Sequence, residues 1–350
     1  MKRDLGLDFL RGVAIILVVF SHVLQRSIPD YATQPVATIL MLFTMPIFFF
    51  VAGINMARRG PLRPLEFLYD IVRRGITYLF PAILFLLLRT YIYNQFPDFP
   101  AAWAAYMDNV QVGLWVLWVL ALLNGVLDVG LLISSITRKH PKIHGAIWIV
   151  AGFVTLIILR FNNVIYSDQF LGYDVFLLFT PVVLLGYLLG DKMRRLCKGA
   201  FNYSWMLLGF PVTIVFGLFC EPYYDTTIEE RQFIVYFCSA FIIMAMCGLA
   251  GAIGSSNRLK MVHATGRRSL EIYMLHLLLL KLWTDFSLEN GFLTALRVAA
   301  MTIGVLAFCE SVILVTKDLP FLHFLAFGRA GDTDLDQKVE RTLKGFFLTH

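Results

Sequence analysis

The most constraining feature of this sequence is a series of long apolar runs, ten in number, that recur from end to end. Each is close to or above the 18 or so residues that cross a hydrocarbon core about 30 Å thick. The runs fall at roughly 7–25, 36–57, 74–94, 113–134, 145–160, 172–190, 204–220, 232–254, 270–288 and 293–316. Within lipid, a backbone must satisfy its own hydrogen bonds, so runs of this length are helices. Charged residues make up only 15% of the chain and hydrophobic ones 58%, where a soluble domain has about a quarter of its residues charged. The expected fold is therefore all-α and polytopic. One membrane domain over residues 1–316 is followed by a charged tail, 317–350.

The charges between the runs set the orientation. One set of alternate connections carries Lys2 and Arg3, the arginines 58, 59, 63, 73 and 74, then Arg138, Lys139 and Lys142. It continues with Lys192, Arg194, Arg195 and Lys198, and ends with Arg258, Lys260, Arg267 and Arg268. The other set carries Asp98, Asp108, Asp168, Glu221, Asp225, Glu229 and Glu230, with Arg26, Arg160 and Arg231 only singly. The positive-inside rule places the first set, and with it both termini, in the cytoplasm, which requires an even number of spans. A net charge of +6 distributed this way reports topology, and excludes a nucleic-acid surface, which would gather its basic residues in one stripe. Lys2 and Arg3 before an apolar run imitate a signal peptide. The run is long, however, no A-x-A site follows, and Asp8 and Arg11 stand at its start, so it reads as a retained first helix. The tail, with Asp332, Asp334 and Asp336, reads equally as a surface helix or a partly disordered segment.

The five cysteines, Cys197, Cys220, Cys238, Cys247 and Cys309, form no CxxC or metal-spaced set and read as buried reduced thiols. His140 and His144 have i, i+4 spacing, but Pro141 follows the first and no acidic ligand is near, so no metal site is expected. No internal repeat or phosphate-binding glycine loop is present.

Ionisable groups inside a bilayer are costly and should face a cavity or a partner. In the first helix these are Asp8, Arg11 and His22. Ten residues separate Arg11 from His22, and eleven steps of about 100° bring both side chains to one face, about 16 Å apart along the axis. Asp8, one turn earlier, can pair with Arg11. Two readings stand: a snorkelling Arg with a packed neutral His, or a polar wall with an anion anchor at one end and a titrating base deep inside. His276 in the ninth helix and Glu310 in the tenth lie at similar depth in an antiparallel hairpin, where they could form a hydrogen-bonded pair, either functional or a structural polar clamp. Arg89, Asn124 and Asp128 are further intramembrane polar residues with no assignable partner. Five arginines within 17 residues, Arg58, Arg59, Arg63, Arg73 and Arg74, suit a phosphorylated ligand, and equally suit positive-inside signalling and anionic lipid.

Three stretches carry a resemblance. Leu7-Asp8-Phe9-Leu10-Arg11-Gly12, running to Ser21-His22, resembles the first helix of the membrane acyltransferase-3 family, with its Arg-x10-His motif. Met45-Pro46-Ile47-Phe48-Phe49-Phe50-Val51-Ala52-Gly53 resembles that family's second-helix signature. Gly266-Arg267-Arg268-Ser269-Leu270-Glu271-Ile272-Tyr273-Met274-Leu275-His276 resembles the start of a late helix. Order and spacing match over residues 5–316. The resemblance implies an acyltransferase for groups other than aminoacyl groups, multi-pass in a bacterial cytoplasmic (inner) membrane. It would move acetyl, or another acyl group, from cytoplasmic acyl-coenzyme A to a hydroxyl of a surface or lipid-linked glycan. Acyl-coenzyme A is then a donor substrate, and no cofactor is held permanently. By the same resemblance His22 is the catalytic base or acyl relay, and Arg11 orients it or the donor. The family's Arg-x-x-Arg motif has its first arginine at Arg73 or Arg74, but Ile76 and Thr77 stand where the second would be, so Arg58, Arg59 or Arg63 is left to substitute. Some members append an extracytoplasmic hydrolase-like domain, for which this chain is too short. The competing expectations are a transporter of a sugar or organic anion using the same buried polar residues, and a silent scaffold of a glycan-synthesis complex. No motif identifies the acceptor, and Tyr223, Tyr224 and Asp225 read either as glycan contacts or as surface.

Overall fold

A computed structural model describes residues 4–138, 140–197, 201–219, 228–280 and 291–328. Lys2, Arg3, Lys139, Lys198, Cys220, Glu221, Tyr223, Tyr224, Asp225 and the acidic cluster of the tail lie outside the described residues. Fourteen α-helices and no strands occur among the described residues. They are α1 (Leu5–Ser27), α2 (Pro35–Ala57), α3 (Pro64–Arg74), α4 (Phe80–Tyr91), α5 (Phe99–Asp108), α6 (Trp115–Thr137) and α7 (Pro141–Phe161). Then follow α8 (Tyr173–Leu196), α9 (Phe201–Phe219), α10 (Ile228–Ala252), α11 (Lys260–Arg267), α12 (Ser269–Leu280), α13 (Gly291–Lys317) and α14 (Pro320–Phe327). Among the described residues, nine helices are long and apolar enough to cross a membrane. Each coincides with an expected span. The remaining expected span, 270–288, is described as the twelve-residue apolar α12 and no further. The protein is all-α and polytopic.

The third span departs from expectation. It begins at Pro64 rather than near residue 74, because α3 and α4 are joined into one run, Pro64–Tyr91, by a π-helical turn at Gly75–Leu79. Pro81 has no N–H to give and its ring crowds the carbonyl four residues back. The helix widens just before it, and the Phe80 N–H reaches the Gly75 carbonyl. Polar residues masked the start of this helix: α3 is amphipathic, with Leu65, Leu68, Ile71 and Val72 exposed, and its charges lie where a loop was expected. The tail also begins as structure, since α14 stacks Phe324 on Phe80 of α4, ring centroids 6.4 Å apart. The helix ends on Gly328 in the left-handed region at φ 61°.

The chain divides into two compact units, one of 1–55 with 181–311, the other of 56–180 with 312–350. In the first, helices meet through small residues, as is usual where lipid removes the hydrophobic drive between helices. Gly12 of α1 lies against Val262 of α11, and Gly266 of α11 against the Asp8 backbone of α1. Gly53 of α2 lies against Tyr187 of α8, and Gly186 of α8 against Phe50 of α2. The start of α1 is pinned twice: Asp4 accepts the Leu7 N–H at 3.2 Å, and both its oxygens take the Arg194 guanidinium at 2.7 Å. In the second unit α6 packs along α7, and Asp98 caps α5 by accepting the Ala101 N–H at 2.8 Å. Tyr106 of α5 is covered by Gly113, whose missing Cβ would come within 2.6 Å of its ring. Cys197, Cys238, Cys247 and Cys309 are buried free thiols.

Candidate active site

The first unit brings together two of the family-like stretches. Because Gly12 and Gly266 carry no side chain, α1 and α11 approach to backbone contact. Helix α12 follows α11 directly and continues along α1. This register sets the imidazole of His276 against that of His22, ring centroids 5.2 Å apart and planes inclined by 39°.

Each ring is held by its Nδ1. In His276 it lies 3.0 Å from the Ile272 carbonyl, one turn back on the same helix. A carbonyl only accepts, so Nδ1 carries the proton and Nε2 the lone pair. That Nε2 is buried with no hydrogen-bond partner, and the residue as a whole is 0% exposed. The Tyr273 ring packs on its other side at 5.7 Å. In His22, Nδ1 meets Gln25 Oε1 at 3.1 Å, which assigns the same tautomer and leaves Nε2 basic. His22 is partly exposed, whereas His276 is buried. Beside His22, the Ser21 hydroxyl shares a 2.7 Å hydrogen bond with the Tyr31 hydroxyl, which ties the outer end of α1 to the turn that follows.

Arg11 stands near the other end of α1, its guanidinium 3.9 Å from the buried carboxylate of Asp8 and its side chain 27% exposed. The expected pairing of Asp8 with Arg11 is thus present. The expected pairing of His276 with Glu310 is not. Glu310 takes the guanidinium of Arg268, just before α12, and its other oxygen, Oε1, is buried without a hydrogen-bond partner. A charge-assisted pair with Arg outweighs a neutral imidazole as a partner. Arg268 also lies eight residues before His276, about 12 Å along a helix. Similar depth in a hairpin therefore fixes Glu310 relative to His276 only to within about that distance.

The arginines of the second unit separate into two groups. Arg59 and Arg74 both bind Asp128, which is 0% exposed on α6. Both also bind Asp70, at 2.9 Å and 3.1 Å, and Arg74 further donates to the Asn124 carbonyl at 3.1 Å. Two guanidiniums and two carboxylates make a neutral cluster tying α3 to α6. This corrects the expectation that all five arginines form one anion-binding loop: two of them are occupied in holding the fold. The i, i+4 spacing of Asp70 and Arg74 was legible in the sequence, but the fourth member, 54 residues further on, was not. Arg58, Arg63 and Arg73 are exposed. Position 77, where the family's second arginine would stand, is a threonine in the π turn, donating to the Arg73 carbonyl at 2.8 Å. Arg89, unassigned from sequence, donates to Gln95 and lies 5.6 Å from the ring centres of Phe85 and Phe96. Outside the membrane, a 2.6 Å hydrogen bond to Asp108 raises the Tyr166 phenol above its ordinary value. Among the described residues no three His, Cys, Asp or Glu side chains gather as metal ligands.

Residues 4–314 match the family model of an acyltransferase domain, acyltransferase-3. Nodulation protein NolL of Sinorhizobium fredii (strain NBRC 101917 / NGR234) is 29% identical over 125 residues, which are 33% of this chain and 34% of NolL. The chain thus covers about a third of that relative's length. No solved structure gives a significant match. With the match running from the first turn of α1 almost to the end of α13, the chain belongs to the acyltransferase-3 family.

Proposed function

We propose that this chain is a membrane O-acyltransferase, taking an acyl group, acetyl in the simplest case, from acyl-coenzyme A and passing it to a hydroxyl of a cell-surface or lipid-linked saccharide. The observation that carries the reading is the partly exposed imidazole of His22, set inside a membrane span with its Nδ1 held by Gln25, in a chain that matches the acyltransferase-3 family over nearly its whole length. His22 Nε2 removes the proton of the acceptor hydroxyl as its oxygen attacks the thioester carbonyl carbon. The new C–O bond forms, the C–S bond breaks, and the proton passes from His22 to the departing sulfur, releasing coenzyme A as the free thiol. Arg11, on the same helix toward the basic face, carries charge suited to the donor.

The donor's phosphates are assigned to the basic side, which the charge rule makes cytoplasmic. The arginines assigned to this role are Arg58, Arg63 and Arg73, whose side chains are exposed. The likeness to a bacterial nodulation protein supports a bacterial cytoplasmic membrane as the setting. Residues 1–316 form the membrane domain in which the transfer takes place.

The test uses purified protein in lipid nanodiscs, radiolabelled acetyl-coenzyme A and a panel of saccharides. Wild type should release coenzyme A thiol together with labelled saccharide. His22→Ala should lose the about 10²–10⁴-fold that a general base contributes. Undiminished transfer in a folded His22→Ala protein would sink the assignment. Saccharide or anion uptake into vesicles with no thiol release would favour the transporter instead.

A further inference from the structure

The proposed reaction needs one histidine, and the structure contains a second that faces it. His276 is 0% exposed, and its ring lies 5.2 Å from that of His22. Its orientation is fixed by Nδ1–H bonding to Ile272, which turns the ring's lone pair at Nε2 away from its own helix backbone. That lone pair has no hydrogen-bond partner. Buried acceptors are ordinarily satisfied, and one left open in a native structure needs an explanation. An apolar side chain of similar volume would fill the space between α1 and α12 without that cost. Metal binding does not supply the explanation, because no third ligand is gathered at the pair among the described residues.

We infer that His276 is a positioning residue for His22, resting on the acyltransferase reading above. Its neutral imidazole holds the ring of His22 and keeps an unpaired acceptor where positive charge develops during the transfer. When His22 takes the acceptor's proton it becomes an imidazolium in a low-dielectric site, where a fixed dipole acts strongly. The negative end of the His276 ring dipole stabilises that state. His276 remains neutral throughout, since two imidazolium rings 5.2 Å apart in a buried site would repel. The proton goes from the acceptor oxygen to His22 and then to the thiolate sulfur, and none is left on His276. The base is thus oriented by Gln25 at its Nδ1 and by the ring of His276 packed against it.

The test compares His276→Gln, His276→Asn and His276→Leu in the full-length protein in nanodiscs, with monodispersity and thermal midpoint recorded for each. A Gln amide places an acceptor near the position of Nε2, an Asn amide near that of Nδ1, and Leu offers none. The expected result for Leu and Asn is kcat lower by about 10–100-fold, as for other residues that hold a functional histidine, with KM for acetyl-coenzyme A within about twofold. Gln should recover most of the loss. The inference is overturned if a folded Leu variant keeps wild-type kcat, or if the change lies in KM. Should Leu not fold, the comparison of Gln with Asn decides, and equal activity of the two overturns the inference. Absence of transfer by the wild type would instead remove the acyltransferase reading itself. Loss of activity in His22→Ala with full activity in His276→Leu would remove this inference alone.

Discussion

Gly266→Ala tests whether the contact between α1 and α11 sets the histidine pair. The new Cβ would lie 2.8 Å from the Asp8 carbonyl carbon and 2.8 Å from the Gly12 nitrogen, and closer still to the Asp8 carbonyl oxygen. Ordinary contact begins near 3.4 Å, so the carbon and nitrogen contacts alone require the two helices to part by about 0.6 Å, and the oxygen contact requires more. All three atoms are backbone, and no rotamer change can relieve them. Overpacking of this kind costs about 1–3 kcal/mol, and the absence of a yielding side chain puts this site at the upper end. The second consequence is functional, because misplacing a catalytic group by about 1 Å costs about 10²-fold in rate, and α12 follows α11 without a loop. The expected variant melts several degrees lower in detergent and shows turnover reduced by one to two orders of magnitude. The control is Gly304→Ala on α13, where nothing lies within 4 Å of the added Cβ. It should be neutral, or stabilised by up to about 1 kcal/mol from helix propensity. Wild-type melting and turnover in Gly266→Ala would refute the reasoning, since the helices would then not be in the register described.

The remaining predictions concern the second unit. Asp128→Asn leaves the guanidiniums of Arg59 and Arg74 facing one carboxylate instead of two. Breaking a buried pair costs about 3–5 kcal/mol, and the low end applies because those side chains keep 19% and 17% exposure. Thermal unfolding measures it, and an unchanged midpoint would show that the cluster holds nothing. Arg63→Ser with Arg73→Ser should raise KM for acyl-coenzyme A about tenfold, the equivalent of 1.4 kcal/mol, with kcat nearly constant in initial-rate assays. A lower melting point with unchanged KM would assign these arginines to lipid contact or structure instead.

The sequence by itself determined what the bilayer enforces. Apolar runs of spanning length have to be helices, and the sign of their connections decides which end of each is basic, so among the described residues nine of the ten expected spans are found as long apolar helices. It also drew attention to the intramembrane polar residues, since an ionisable group is conspicuous in a chain with so few charges. What it did not contain was their pairing. His22 and His276 are 254 positions apart, and His276 was matched with Glu310 because both sat at similar depth. The ion pairs of Arg59 and Arg74 with Asp128 are invisible in the sequence because Asp128 is remote in it. The amphipathic start of α3 looks like a connection in the sequence because its period is carried by charges as well as leucines. Partners across helices depend on the azimuth and register of one cylinder against another. Those are fixed by where the backbones can approach, at Gly12 and Gly266, and a linear pattern of hydropathy and charge carries no information about that approach. The tertiary structure therefore decided that the first helix's histidine faces another histidine, and that two of the five arginines are spent inside the protein.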